Sequence, residues 1–227
     1  MSGLTNQAGG GGGSIDSRLD ASQQAWEASM TRRLDALRSS LHGRNQAHLA
    51  ALSEAQFTEN ELLLTYWGRV VQIAWPDLTA CYADDNTPCS TFDSAMLLYY
   101  LDTADGTPLA DRWIGFRELP DGGFYNQAFQ GYSGDILARR FEGKPEILEN
   151  AARAWNGSRL PALAPLAFAF QPLPRIRLAL AIWPGDEDFA ARASVLFDAA
   201  SSHYMTTDGL ALLGSGLAHR LLRAASG

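Results

Sequence analysis

Between residues 15 and 41 the apolar positions recur at intervals of eleven: Ile15, Trp26 and Leu37 form one series, and Leu19, Met30 and Leu41 another. Eleven residues are about three helical turns, so both series fall on one narrow stripe of an otherwise polar helix. Ser14 or Asp16 caps it, and no Pro or Gly interrupts it before Gly43. A stripe this thin adds little burial. It predicts an appended helix that lies on its own domain, or one that serves self-association or docking.

From Phe57 the texture changes. Leu62 to Trp75 mixes apolar and β-branched residues around Gly68-Arg69, a short helix or a strand leading into a strand, and Pro76-Asp77 turns the chain into a return at Leu78–Tyr82. Ser90 or Thr91 caps a helix running to about Leu101, which Ala104-Asp105-Gly106 ends. Trp113–Phe116 reads as a strand. Residues 124–141 read as helical with a break near Tyr132, and Pro145 opens a further helix to Trp155. Leu166–Phe170 is a strand. In Ile176–Trp183, Ile176, Leu178, Leu180 and Ile182 share one face and small Ala179 and Ala181 the other, the pattern of a central strand buried on both sides. Ala193–Phe197 is helix or strand by period alone. Thr206 or Thr207 caps a last helix with Leu210, Leu213, Leu217 and Leu221 on its core side. The elements predict an α+β fold: a single domain over 57–224 with a mixed or antiparallel sheet flanked by helices. A flexible Gly-rich tail (1–14) and the appended helix (15–45) precede it.

Charge narrows the function. Of 25 acidic and 18 basic residues, five of each fall in 1–56, so the whole net charge of −7 belongs to 57–227. That balance excludes a basic nucleic-acid surface. No run approaches the ~18 apolar residues of a membrane span, and the N-terminus lacks the order of a signal peptide. A cytoplasmic protein with reduced thiols is expected, because Cys81 and Cys89 stand alone without metal-ligand spacing. No metal site and no particular cofactor is indicated.

Three apolar runs end in charge: Phe116-Arg117-Glu118, Trp183-Pro184-Gly185-Asp186-Glu187-Asp188, and Leu196-Phe197-Asp198. Strand ends display functional loops. If these runs are parallel neighbours, the charges converge on one rim; if they alternate in direction, they do not. Trp113, Phe116, Tyr125 and Trp183 supply aromatic walls nearby, and His203 beside Tyr204 is a further candidate. The expected site is a small-molecule pocket of Trp113, Phe116, Arg117, Glu118, Tyr125, Trp183, Asp186, Glu187, Asp198 and His203. The rivals are a buried Arg–Asp network at the strand ends, an interaction module acting through the N-terminal helix, and an enzyme using Asp186 or Asp198 as base. No Gly-x-Ser-x-Gly elbow accompanies Asp198 and His203, and Gly214-Ser215-Gly216 sits inside a helix pattern.

Trp113–Pro120, Gly122–Phe129, Leu173–Phe189 and Val195–Asp198, followed by Tyr204-Met205-Thr206-Thr207-Asp208, resemble in order a prokaryotic family catalogued as a domain of unknown function. The likeness covers over half the chain. It implies a shared fold and shared positions at Trp113, Phe116, Arg117, Trp183, Asp186, Glu187, Asp198 and Asp208, with no activity attached. Some relatives are labelled iron–sulfur proteins for a cysteine-rich segment before the domain. Here a Gly-rich segment and a helix stand in that place, which sets the iron–sulfur role aside.

Overall fold

A computed structural model describes residues 12–226, with side chains from Glu27 onward. The side chains of Ile15, Leu19 and Trp26 on the expected stripe, and residues 1–11 of the expected Gly-rich tail, lie outside the described residues.

Helix α1 (Gly12–Leu41) begins ahead of either expected cap and is followed by α2 (Gln46–Ser53), which Asn45 caps through its side chain. A four-stranded antiparallel sheet comes next, in the order β1 (Gln56–Thr58), β2 (Glu61–Tyr66), β3 (Arg69–Ala74), β4 (Ala80–Tyr82). The ambiguous stretch is thus a hairpin. Its two-residue turn, Trp67-Gly68, has φ of 49° and 83°, the positive pair that matches strand twist. A side chain on Gly68 would strike the Asn156 amide as well as strain the backbone. The turn tucks Trp67 inward, and its N–H donates to the Pro172 carbonyl at 2.9 Å, tying the first sheet to the second.

Helix α3 (Thr91–Thr103) starts at Ser90, whose hydroxyl accepts from the Asp93 N–H. After β5 (Trp113–Gly115) a 3-10 turn at Phe116–Glu118 leads to α4 (Gly122–Tyr132) and α5 (Gly134–Phe141), broken at Ser133 as the glycines there suggest. Helix α6 (Pro145–Arg153), β6 (Ser158–Arg159), β7 (Leu166–Leu173), β8 (Ile176–Trp183), β9 (Arg192–Asp198) and α7 (Thr207–Ala224) complete the chain. The second sheet is ordered β5-β9-β8-β7-β6 and is antiparallel throughout, so β8 is central as its pattern predicts. Its Ile176–Leu178–Leu180–Ile182 face joins the main core, which α5 and α7 help to close. Its Ala face packs on the shallow layer of Leu160, Leu163 and Ala164. No described helix is long and apolar enough to cross a membrane.

Two packing facts go beyond the sequence reading. Met30, Leu34, Leu37 and Leu41 of α1 are all buried in the main core, with α1 lying on α3 and Asp102 receiving Ser40 and Arg44. At about 1.5–3 kcal/mol per buried side chain, this helix adds substantial burial. The second is Arg220, 7% exposed on the apolar side of α7. Its guanidinium carbon lies 4.6 Å from the Trp67 ring centre, 5.4 Å from Trp155 and 5.7 Å from Tyr66. Its Nη2 donates to Asp93 Oδ1 at 2.9 Å, and the Tyr66 hydroxyl donates to the same oxygen at 2.7 Å. Burial raises the Tyr66 pKa well above 10.

A smaller staple joins the loop after α3 to the 3-10 turn at Ser201–His203. His203 Nδ1 lies 2.7 Å from Asp105 Oδ2, and the Tyr204 hydroxyl donates to the Thr107 carbonyl. The His203 contact, then Thr107, holds the Asp105 carboxyl at about 2, below its ordinary 3.8.

Three outcomes follow. Asp93→Asn and Arg220→Met should each lower unfolding free energy by about 3–5 kcal/mol in urea titrations, with the double variant losing less than both together. Leu41→Ala should cost about 2–5 kcal/mol by the same measurement. Asp105 has a depressed folded pKa, so its contribution is present above about 3.8 and disappears as pH falls toward about 2. The thermal-midpoint advantage of the wild type over Asp105→Asn should therefore narrow across that window; a constant gap would show no linkage.

Candidate functional site

The Glu118 carboxylate accepts the Gly115 N–H at 2.7 Å and bends the chain out of β5 into the 3-10 turn. Phe116 is thereby turned inward, stacking on Phe129 of α4 at 4.2 Å between ring centres and 16° between planes. Phe197 of β9 and the edge of Tyr132 complete this aromatic group. Helix α7 approaches it closely because residue 214 is Gly; a Cβ there would sit 2.9 Å from the Phe129 ring.

Above the Phe116–Phe129 stack, α1, α4 and the start of α7 part around a cleft of about 910 Å³. Met30, Phe116, Met205 and Leu212 give it an apolar base, and Tyr125, Ala128 and Tyr132 of α4 form one wall. Tyr125 is 67% exposed and Tyr132 40%. Partial burial raises the Tyr132 pKa.

One end of the cleft is polar. Arg33 of α1 donates through Nη1 to Asp208 Oδ2 and, at 2.7 Å, to the Tyr99 hydroxyl. The Thr206 hydroxyl donates to Asp208 Oδ1 at 2.6 Å. Burial pushes the Asp208 carboxyl up, but Thr206 and Arg33 outweigh it and hold the pKa below 3.8. The bond to Asp208 raises the Arg33 pKa in turn. Burial raises Tyr99, and the Asp208 charge adds to the effect.

Of the ten residues expected at a site, only Phe116 and Tyr125 line this cleft. The charged strand ends do not converge, because β5, β9 and β8 alternate in direction. Asp198 lies level with Trp113, while Trp183 pairs with Arg192 at the other end of β8–β9, roughly 20 Å away along the strands. Fully buried Asp198 accepts the N–H groups of Ala110 and Ala200, each at 2.9 Å, and meets Arg177 at 3.3 Å. Arg177 also engages Asp111 and lies over the Trp113 ring at 5.6 Å. The Arg–Asp network at this end is therefore built on half-buried Arg177, joining buried Asp198 to exposed Asp111, while Arg117 is exposed and takes no part. Asp186 accepts the N–H groups of Asp188 and Phe189 within its own turn, Glu187 beside it is exposed, and Trp183 is half-buried under Arg192. His203 pairs with Asp105 and not with Asp198. Among the described residues, no group of three His, Cys, Asp or Glu comes together as a metal site.

A second trough of about 800 Å³ crosses β2 and β7, lined by Trp67, Trp155, Phe170 and Gln171 among others. Its two tryptophans belong to the packing around Arg220, and none of the ten expected residues lines it.

The sequence reading did not mention Arg33, and it placed Tyr132 and Thr206 at a helix break and a helix cap instead of at a site. Arg33 had a signal: it borders the Met30–Leu34–Leu37 stripe, where a cation on a helix edge meets whatever lies beside the packed face. Asp208 entered only through the resemblance.

Compared with known proteins, the chain matches no curated protein and no solved structure. Residues 45–220 match the model of a family described as a domain of unknown function (DUF3786). That span runs from just before α2 to Arg220 itself, covers most of the chain and leaves α1 outside. The chain belongs to this family.

Proposed function

We propose that this protein binds a small, flat, largely apolar molecule in the cleft between α1, α4 and α7. The observation that carries the reading is the pair of exposed tyrosines, Tyr125 and Tyr132, lining open space above a base in which Met30, Phe116 and Met205 are buried. A volume near 910 Å³ with apolar walls and one polar end is the ordinary form of a ligand site. The alternatives have less behind them. An interaction module acting through α1 would need its apolar face, and the described part of that face lies against α3. Phe124 and Phe189, 88% and 73% exposed, are the features that favour an interaction surface elsewhere. An enzyme using Asp186 or Asp198 as base would need a carboxylate turned toward a cleft, whereas both are engaged in their own turns. The acidic balance favours a partner other than nucleic acid. Burial, with Asp93 and Cys81 nearby, pushes the Cys89 thiol up to about 12, and both cysteines are free. Free cysteines, with Cys89 held protonated, suit the reducing cytoplasm, where we place the protein.

Ala128→Trp tests the reading, because residue 128 is exposed on the cleft wall and a large ring there fills the space without entering the core. Native mass spectrometry of protein purified from its host should show a retained small molecule on the wild type. The Trp variant should lose it while keeping the wild-type thermal midpoint. A molecule retained equally by the variant would place binding elsewhere.

A further inference from the structure

The cleft reading leaves the chemical class of the ligand open, and the following step rests on that reading. Arg33 is the one cation among the described residues lining the cleft. Its Nη1 is committed to Asp208 and Tyr99, while among the described residues no hydrogen bond or ion pair engages its Nε or Nη2. The side chain is 39% exposed. A guanidinium anchored at one nitrogen and open along the opposite edge is a preset fork for a carboxylate or sulfonate. Asp208 does not compete for that edge: one oxygen takes Arg33 and Tyr99, the other Thr206. Asp121, an exposed carboxylate on the lining with no hydrogen bond or ion pair among the described residues, opposes an anion at the rim.

We infer that α1 makes the cleft selective for a flat apolar molecule bearing one anionic group, with Arg33 as the selecting residue. The other side chains of the lining, apart from Ser29 and Met30, come from residues 116–212, inside the family span. The selecting residue therefore lies outside the family span, and the aromatic wall inside it.

Two fluorescent probes with the same ring body separate charge from shape: anilinonaphthalene sulfonate and uncharged phenylnaphthylamine. Wild type should bind the sulfonate about tenfold more tightly, the worth of one charge-assisted contact. Arg33→Gln should erase that preference while leaving the uncharged probe within about twofold, since an exposed pair with Asp208 contributes little to folding. Arg33→Lys, which keeps the charge and loses the fork, should retain part of the preference. Asp121→Asn should strengthen the sulfonate alone. Equal affinities for the two probes on wild type, or a preference that survives in Arg33→Gln, would overturn the inference. The two readings fail separately. If Ala128→Trp leaves the uncharged probe bound, the cleft itself is wrong; if it blocks both probes and no sulfonate preference exists, only the role of Arg33 falls.

Discussion

A single guanidinium, enclosed by aromatic rings, organises the meeting of nearly every layer in this protein. Arg220 projects from α7 among Tyr66 and Trp67 of the first hairpin and Trp155 after α6, and finds its counter-charge on α3. Each ring face offers a cation a modest attraction, and the desolvated carboxylate of Asp93 offers a larger one. The arrangement is demanding because a buried charge tolerates few substitutes for its partners. It fixes where the hairpin turn must lie, and Trp67, once there, reaches the Pro172 carbonyl and joins the two sheets.

The second sheet keeps a different polar group apart from the cleft between α1, α4 and α7. Asp198 is buried where β9 ends and accepts backbone N–H groups from the segment before β5 and from the turn after β9. It holds chain direction at the edge of the sheet, where β5 joins β9. The cleft forms on the opposite side of the design problem, where three helices and a turn diverge too far for core side chains to fill the gap. Its aromatic base is continuous with the core through Phe116, Phe129 and Phe197. That continuity makes the base of the cleft as rigid as the core it belongs to.

Local signals were readable and long-range ones were not. The Ser90 cap, the break near Tyr132, Pro145 at a helix start and the two-faced pattern of β8 depend on residues within a few positions of one another, and all appear in the structure. The β2–β3 hairpin escaped because its turn places Trp67, and not Asn or Asp, at positive φ, a choice that makes sense only with Arg220 across the core. Arg220 itself lay in plain view beside Leu217 and Leu221 on an apolar helix face. The expected pocket depended on strand direction, which no local pattern encodes, and antiparallel pairing sent Asp186 and Asp198 to opposite ends. The cleft joins Arg33 to Tyr125 and Asp208, residues far apart in the chain, so only the folded topology could assemble it.

The boundary between α1 and the rest of the chain cuts through a single packed layer. Helix α3 is buried on nearly every side, from Ser94 through Leu98 and on to Tyr100 and Leu101, and α1 supplies part of that cover. The covered helix lies inside residues 45–220, and its cover lies outside. The family match thus includes α3 but not the helix packed over it. The helix that roofs α3 also borders the cleft, giving Met30 to its base and Arg33 to its polar end, so cover and cleft share one element.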